Sequence, residues 1–196
     1  MSQVKEYIGA EIMLLSKIIK ADSYAIPFGG RNPMWLPWWL KTLGKTVHTN
    51  DLLHYSYMDA VGMVENDGVL LDADTVAGLL EGLGGSSSTR ALENPELAKL
   101  VPMEDAVFYD QLRGRIERLT PRQRGMALRA GFNTIRYSQI MDSSRFVNIK
   151  MPLSRIFERE VLELNKRVTS AGNGVAYRMD ATEFVASPKA QALYIQ

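Results

Sequence analysis

With 196 residues, 46% of them hydrophobic and 23% charged, the chain is long enough for one sizeable core, and its composition excludes wholesale disorder and collagen-like designs. Twenty-three Lys and Arg offset 22 Asp and Glu to a formal charge of +1, so any surface for nucleic acid has to be local. Without cysteine there is no disulfide framework, zinc knuckle or thiol nucleophile.

The N-terminal segment interrupts its apolar residues with Lys5, Glu6, Glu11 and Lys17, a pattern wrong for a signal peptide or a membrane span, and a cytoplasmic protein with no membrane partner is expected. Ile8, Ile12, Leu15 and Ile19 share one face of a helix over residues 9–20. Tyr24 to Phe28 is a short apolar run ending in Gly29-Gly30 and reads as a buried strand entering a tight turn. Pro33 at a first helical turn and Gly44 beyond a last one bracket a helix over 33–43. Lys45 to Thr49 reads as a second strand that stops at Asn50-Asp51. Leu53, Tyr57, Ala60 and Val64 repeat with helical spacing, and a further short helix covers 69–80.

Gly82 to Thr89 has no periodicity and reads as a loop. Tyr109, Leu112, Ile116 and Leu119 mark another helix, and Thr120-Pro121 supplies an N-cap and first residue for the next. Leu153, Phe157, Val161, Leu164 and Val168 form a third stripe. Val175 to Met179 and Ala192 to Ile195 read as strands flanking a short helix at 182–186. Strands alternate with helices at both ends of the chain, around a helical insertion. The fold class expected is therefore α/β with a mainly parallel sheet, divided as 1–80, 81–150 and 151–196.

In such a sheet a ligand binds beyond the carboxyl ends of the strands. Pro27-Phe28-Gly29-Gly30, Asn50-Asp51 and Asp180 occupy three of these ends. A glycine turn and an Asp after a strand each have ordinary structural uses, as a turn and a helix cap. Taken in order, the three form a nucleoside-binding pattern.

These segments resemble the Dam-like class of adenine-specific DNA methyltransferases. Tyr7-Ile8-Gly9-Ala10-Glu11 is similar to that family's N-terminal motif, Ile26 to Gly30 to its first cofactor motif, and Val47 to Asp51 to the motif whose acid binds the ribose hydroxyls. Arg178 to Phe184 is similar to the segment whose Asp contacts the adenine amine of the cofactor. The resemblance implies a Rossmann-like fold that binds S-adenosylmethionine through Tyr7, Gly9, Pro27, Phe28, Gly29, Gly30, Asp51, Asp180 and Ala181. It also implies methyl transfer to adenine in DNA.

Family members follow the strand equivalent to Ala192–Ile195 with Asp-Pro-Pro-Tyr, which grips a flipped adenine. Nothing in this chain matches that loop, so no catalytic residue is assigned. The expectation is a cofactor-binding part or subunit, inactive alone and completed by a further segment or a second polypeptide. A bulky run, Met34 to Trp39, follows Asn32-Pro33 where the family's glycine loop continues, and it narrows the expected pocket. An alternative is a non-catalytic interaction or regulatory protein of the same fold, with Trp35, Trp38 and Trp39 as its contact surface.

Between positions 113 and 136 stand seven arginines and one acid, Glu117. Arg113, Arg115, Arg118, Arg122, Arg124 and Arg129 are the candidate contacts to DNA phosphates, against the plainer reading of a solvated helix face. His48 and His54 lack partners at metal-ligand spacing and read as structural, so no metal is assigned.

Overall fold

The computed structural model describes residues 20–29, 35–83, 102–143, 151–187 and 190–194. The expected N-terminal helix, with Tyr7 and Gly9, and the turn residue Gly30 lie outside these residues. The chain divides into two compact units, residues 1–67 with 169–196, and residues 68–168.

Among the described residues the first unit is built on four parallel strands, β1 (Ser23–Ile26), β2 (Thr46–Asn50), β3 (Asn173–Tyr177) and β4 (Ala192–Leu193), in the order β3-β2-β1-β4. Alternation along β1 sends Tyr24 and Ile26 to one face, where they meet Val47 of β2. Among the described residues two helices bury that face. One is α1 (Trp35–Thr42), through Leu40, and the other is α2 (His54–Met63), through Ala60 and the adjoining Val64. Trp39 packs against this core. Pro37 is tolerated within the first turn of α1, where the amide it lacks has no intrahelical acceptor. Gly44, at φ +79°, closes α1 by donating to the Lys41 carbonyl at 2.9 Å, a left-handed cap that feeds the chain straight into β2.

Lys41 is fully buried, and its ammonium donates to the Asn66 carbonyl three residues beyond α2, so the buried charge has a backbone acceptor. The strands begin and end within two residues of the sequence expectation, and β1 stops at Ile26. Pro27 has no amide to donate, and from there the chain enters the turn.

The second unit is helical: α3 (Ala73–Leu80), α4 (Met103–Ile116), α5 (Pro121–Ser143) and α6 (Leu153–Asn165). Its buried side chains include Leu79, Phe108, Leu112, Ile116, Met126, Phe157, Val161 and Leu164. The Asn165 amide accepts from Leu71 N at 3.1 Å and donates to Leu71 O at 2.8 Å, pairing both backbone polar groups of Leu71. Thr120 precedes α5 as expected, and its hydroxyl donates to Gln123 at 2.8 Å. Helices α3 and α6 belong to this unit, although the sequence places them with the α/β ends. Hydrophobic periodicity locates a helix but does not say what it packs against.

Among the described residues no helix is long and apolar enough to cross a membrane.

Candidate functional site

Because the strands are parallel, their carboxyl ends lie along one edge of the sheet. The chain runs from β1 outward to β2 and β3 on one side and returns as β4 on the other, so a topological switch point lies between β1 and β4. The turn Pro27-Phe28-Gly29 follows β1, Asp51 follows β2, and Met179-Asp180 follows β3, so Pro27, Phe28, Gly29, Asp51, Asp180 and Ala181 share this edge.

Pro27 and Gly29 are buried, whereas the Phe28 ring is 56% exposed. Gly29 N donates to Asn50 O at 2.9 Å, which lays the turn across β2. A β-carbon at position 29 would lie 1.9 Å from the Thr49 hydroxyl, so glycine is required there by close approach to the neighbouring strand.

Asp51 Oδ1 accepts from Leu53 N at 2.8 Å, an Asx turn that opens α2. Its second carboxylate oxygen has no partner among the described residues. Leu52 and Leu53 are 64% and 68% exposed. Helical spacing assigned Leu53 to the buried stripe, but it precedes the helix and is free of that periodicity. Phe28, Leu52 and Leu53 thus leave exposed apolar surface along the strand ends that carry Asp51.

Asp180 is the N-cap of α7 (Ala181–Ala186). Its carboxylate accepts from Thr182 N at 2.8 Å and from the Thr182 hydroxyl, and these bonds hold it below the ordinary carboxylate range. Arg178 reaches back across the edge, donating from Nε to Leu52 O at 3.2 Å, with its guanidinium 3.3 Å from His54 Nδ1. His48 Nδ1 lies 3.2 Å from the Tyr177 hydroxyl, beside a small cleft of about 70 Å³ lined by Ala25, His48, Tyr177, Met179, Phe184 and Ser187. Both histidines therefore have protein partners. No group of three or more His, Asp or Glu is placed to hold a metal ion among the described residues.

One residue at this edge went unrecognised. Asn50, 2% exposed, uses its side-chain amide to donate to Pro27 O at 3.2 Å and Met179 O at 3.1 Å, and it accepts from Met179 N at 3.0 Å. A polar residue closing a strand was visible in the sequence; the partners 23 and 129 positions away were not.

The arginines of the second unit separate into two kinds. Arg115 donates to the carbonyls of Gly78 and Leu79 at 3.3 and 3.0 Å, capping the C-terminus of α3. Arg124 donates to Glu117 O at 2.5 Å and Leu119 O at 3.4 Å and lies 3.4 Å from the Glu117 carboxylate, stapling the turn between α4 and α5. Arg122 and Arg129 are half-buried. Arg113 and Arg118 are exposed.

No protein-family model, no curated protein and no solved structure matches the chain. The functional reading accordingly rests on the sheet edge and its chemistry.

Proposed function

We propose that the first unit binds S-adenosylmethionine, and that the chain is the cofactor-holding part of an adenine-N6 DNA methyltransferase whose adenine-gripping loop comes from a completing segment. The observation that carries this reading is the strand order β3-β2-β1-β4, with a glycine turn beside the switch point and an acid on the adjoining strand end. Open α/β sheets hold nucleosides in this way.

The residues present fit such a ligand. Asp51 keeps one carboxylate oxygen for the ribose diol, and Phe28, Leu52 and Leu53 offer apolar surface to a purine ring. Asp180, engaged as a cap through Oδ1, is the exposed carboxylate that this reading assigns to the adenine amine. Ala181, the first residue of α7, adds no bulk beside that carboxylate. Bound here, the cofactor would supply an activated methyl group. The chain's own work is to bind and orient it.

For DNA, Arg113 and Arg118 are the phosphate contacts that this reading favours, because Arg115 and Arg124 already serve helix ends.

Thermal unfolding with and without S-adenosylhomocysteine tests the reading. At a hundredfold excess over its dissociation constant, the demethylated cofactor should stabilise the fold by about 2.7 kcal/mol and raise the midpoint accordingly. A midpoint that stays fixed up to millimolar ligand would favour the non-catalytic interaction protein instead.

A further inference from the structure

The carboxyl edge of the sheet is assembled from loops that are far apart in sequence, and one side chain ties them together. Asn50 closes β2, and its carbonyl accepts from Gly29 N at 2.9 Å. Its side-chain amide spends both N–H groups, on Pro27 O and Met179 O, while its oxygen takes Met179 N–H. Residue 50 therefore fixes the turn after β1 by two bonds and the turn after β3 by two more. The next residue is Asp51, whose own amide donates to Tyr177 O at 3.2 Å.

Two donors and an acceptor on so short a stem are the property of asparagine alone. Aspartate would set a carboxylate against two carbonyl oxygens, and leucine would leave the buried Pro27 carbonyl and the half-buried carbonyl and amide of Met179 without this partner. A purely structural residue could meet the same packing need by bonding within its own turn. Asn50 instead bonds across the edge at which the ligand is proposed to bind.

We propose that Asn50 is the positioning residue of this site: it sets the spacing between the Pro27–Gly29 turn and Met179-Asp180, so that both meet one ligand without rearrangement. The inference rests on the nucleoside-binding reading for its ligand readout, and on the hydrogen bonds alone for its structural half. Preorganisation of this kind appears as affinity in the folded protein.

The test uses the full chain, Asn50→Asp and Asn50→Leu, titrated with S-adenosylhomocysteine at a temperature where circular dichroism shows each variant folded. Hydrogen exchange of the Gly29 and Met179 amides is followed in parallel without ligand. Asn50→Asp should bind about 10- to 100-fold more weakly at pH 7.5, the loss expected for hydrogen bonds of this type. At pH 5.5 it should recover several-fold, because a carboxyl held among carbonyl oxygens gains a proton readily and can then donate to one of them. Asn50→Leu should show no such recovery, and the wild type no such pH dependence. A folded variant with unchanged affinity would overturn the proposal.

If the wild type itself does not bind, the nucleoside reading fails and exchange decides the rest. Joint loss of protection at Gly29 and Met179 in Asn50→Leu, which removes the acceptor for Met179 N–H, with protection kept in β1 and β2, sustains the bridging role. Unchanged protection at Met179 refutes it.

Discussion

Replacing Gly29 with alanine should force the turn after β1 away from the sheet, and the structure fixes the size of the effect. The added β-carbon would lie 1.9 Å from Thr49 Oγ1, 3.3 Å from Thr49 Cβ and 3.7 Å from Asn50 O, where real β-carbon contacts essentially never fall below 3.0 Å. Either the turn lifts and stretches the 2.9 Å bond from Gly29 N to Asn50 O, or Thr49 leaves its rotamer. Overpacking of this kind costs about 1–3 kcal/mol. The Thr49 hydroxyl is buried with no hydrogen-bond partner among the described residues, so Thr49→Ala sacrifices no bond and should cost about 1 kcal/mol through lost packing. With the hydroxyl gone, the closest remaining contact is the 3.3 Å one, which a shift of a few tenths of an ångström relieves. The double variant should then be at least about 1 kcal/mol more stable than the sum of the single losses, a coupling of the size found between touching residues. Urea unfolding of the four proteins, with equal denaturant slopes as the check on two-state behaviour, measures that coupling. Thr49→Val, which keeps a heavy atom in place of the hydroxyl, should give much less relief. Additivity within about 0.5 kcal/mol would refute the argument that Gly29 rests on Thr49.

Other perturbations follow from single contacts. Arg124→Ala should cost about 1 kcal/mol in chemical denaturation, since it frees the carbonyls of Glu117 and Leu119, and it should leave the salt dependence of any DNA binding nearly unchanged. Arg113→Ala and Arg118→Ala should do the reverse, with stability intact and each lowering the slope of log affinity against log salt by about 1 in filter-binding titrations. Lys41→Met should destabilise by about 1–3 kcal/mol, because the Asn66 carbonyl loses its buried donor, and a urea melt reads this directly. Asp180 is held below the ordinary carboxylate range by the Thr182 hydroxyl and amide, so its contribution is complete above about pH 4 and is lost as pH falls through its native value. Asp180→Asn, which keeps an acceptor at the cap but does not titrate there, should flatten the acid limb of a stability profile below about pH 4.

The parts of this fold that the sequence makes legible are those decided within one element. Gly44 marks the end of α1 because a left-handed cap is a local demand, and Thr120-Pro121 marks the start of α5 for the same reason. The short apolar run of β1 and the stripe through Phe157, Val161 and Leu164 point to core residues directly. What stays hidden depends on contacts between distant segments. The arginines between 113 and 136 look alike in sequence, yet Arg115 and Arg124 are taken up by carbonyls at helix ends, and only the packing of α3 on α4 and the turn into α5 reveals it. Leu53 has the spacing of a core residue and lies exposed at the site's edge. Asp51 and Asp180 were recognisable as acids closing strands, but their commitments to Leu53 and Thr182, which decide which oxygen remains for a ligand, needed the structure.

The claim that the carboxyl edge holds a nucleoside through Asp51 is tested most directly by calorimetric titration of the chain with S-adenosylhomocysteine beside Asp51→Asn. That substitution keeps an acceptor for Leu53 N while removing the charge offered to the diol. One-site binding by the wild type, weakened about 10- to 100-fold in the variant, is the predicted result. Absence of binding by a folded wild-type chain, or equal affinity in both proteins, would contradict it.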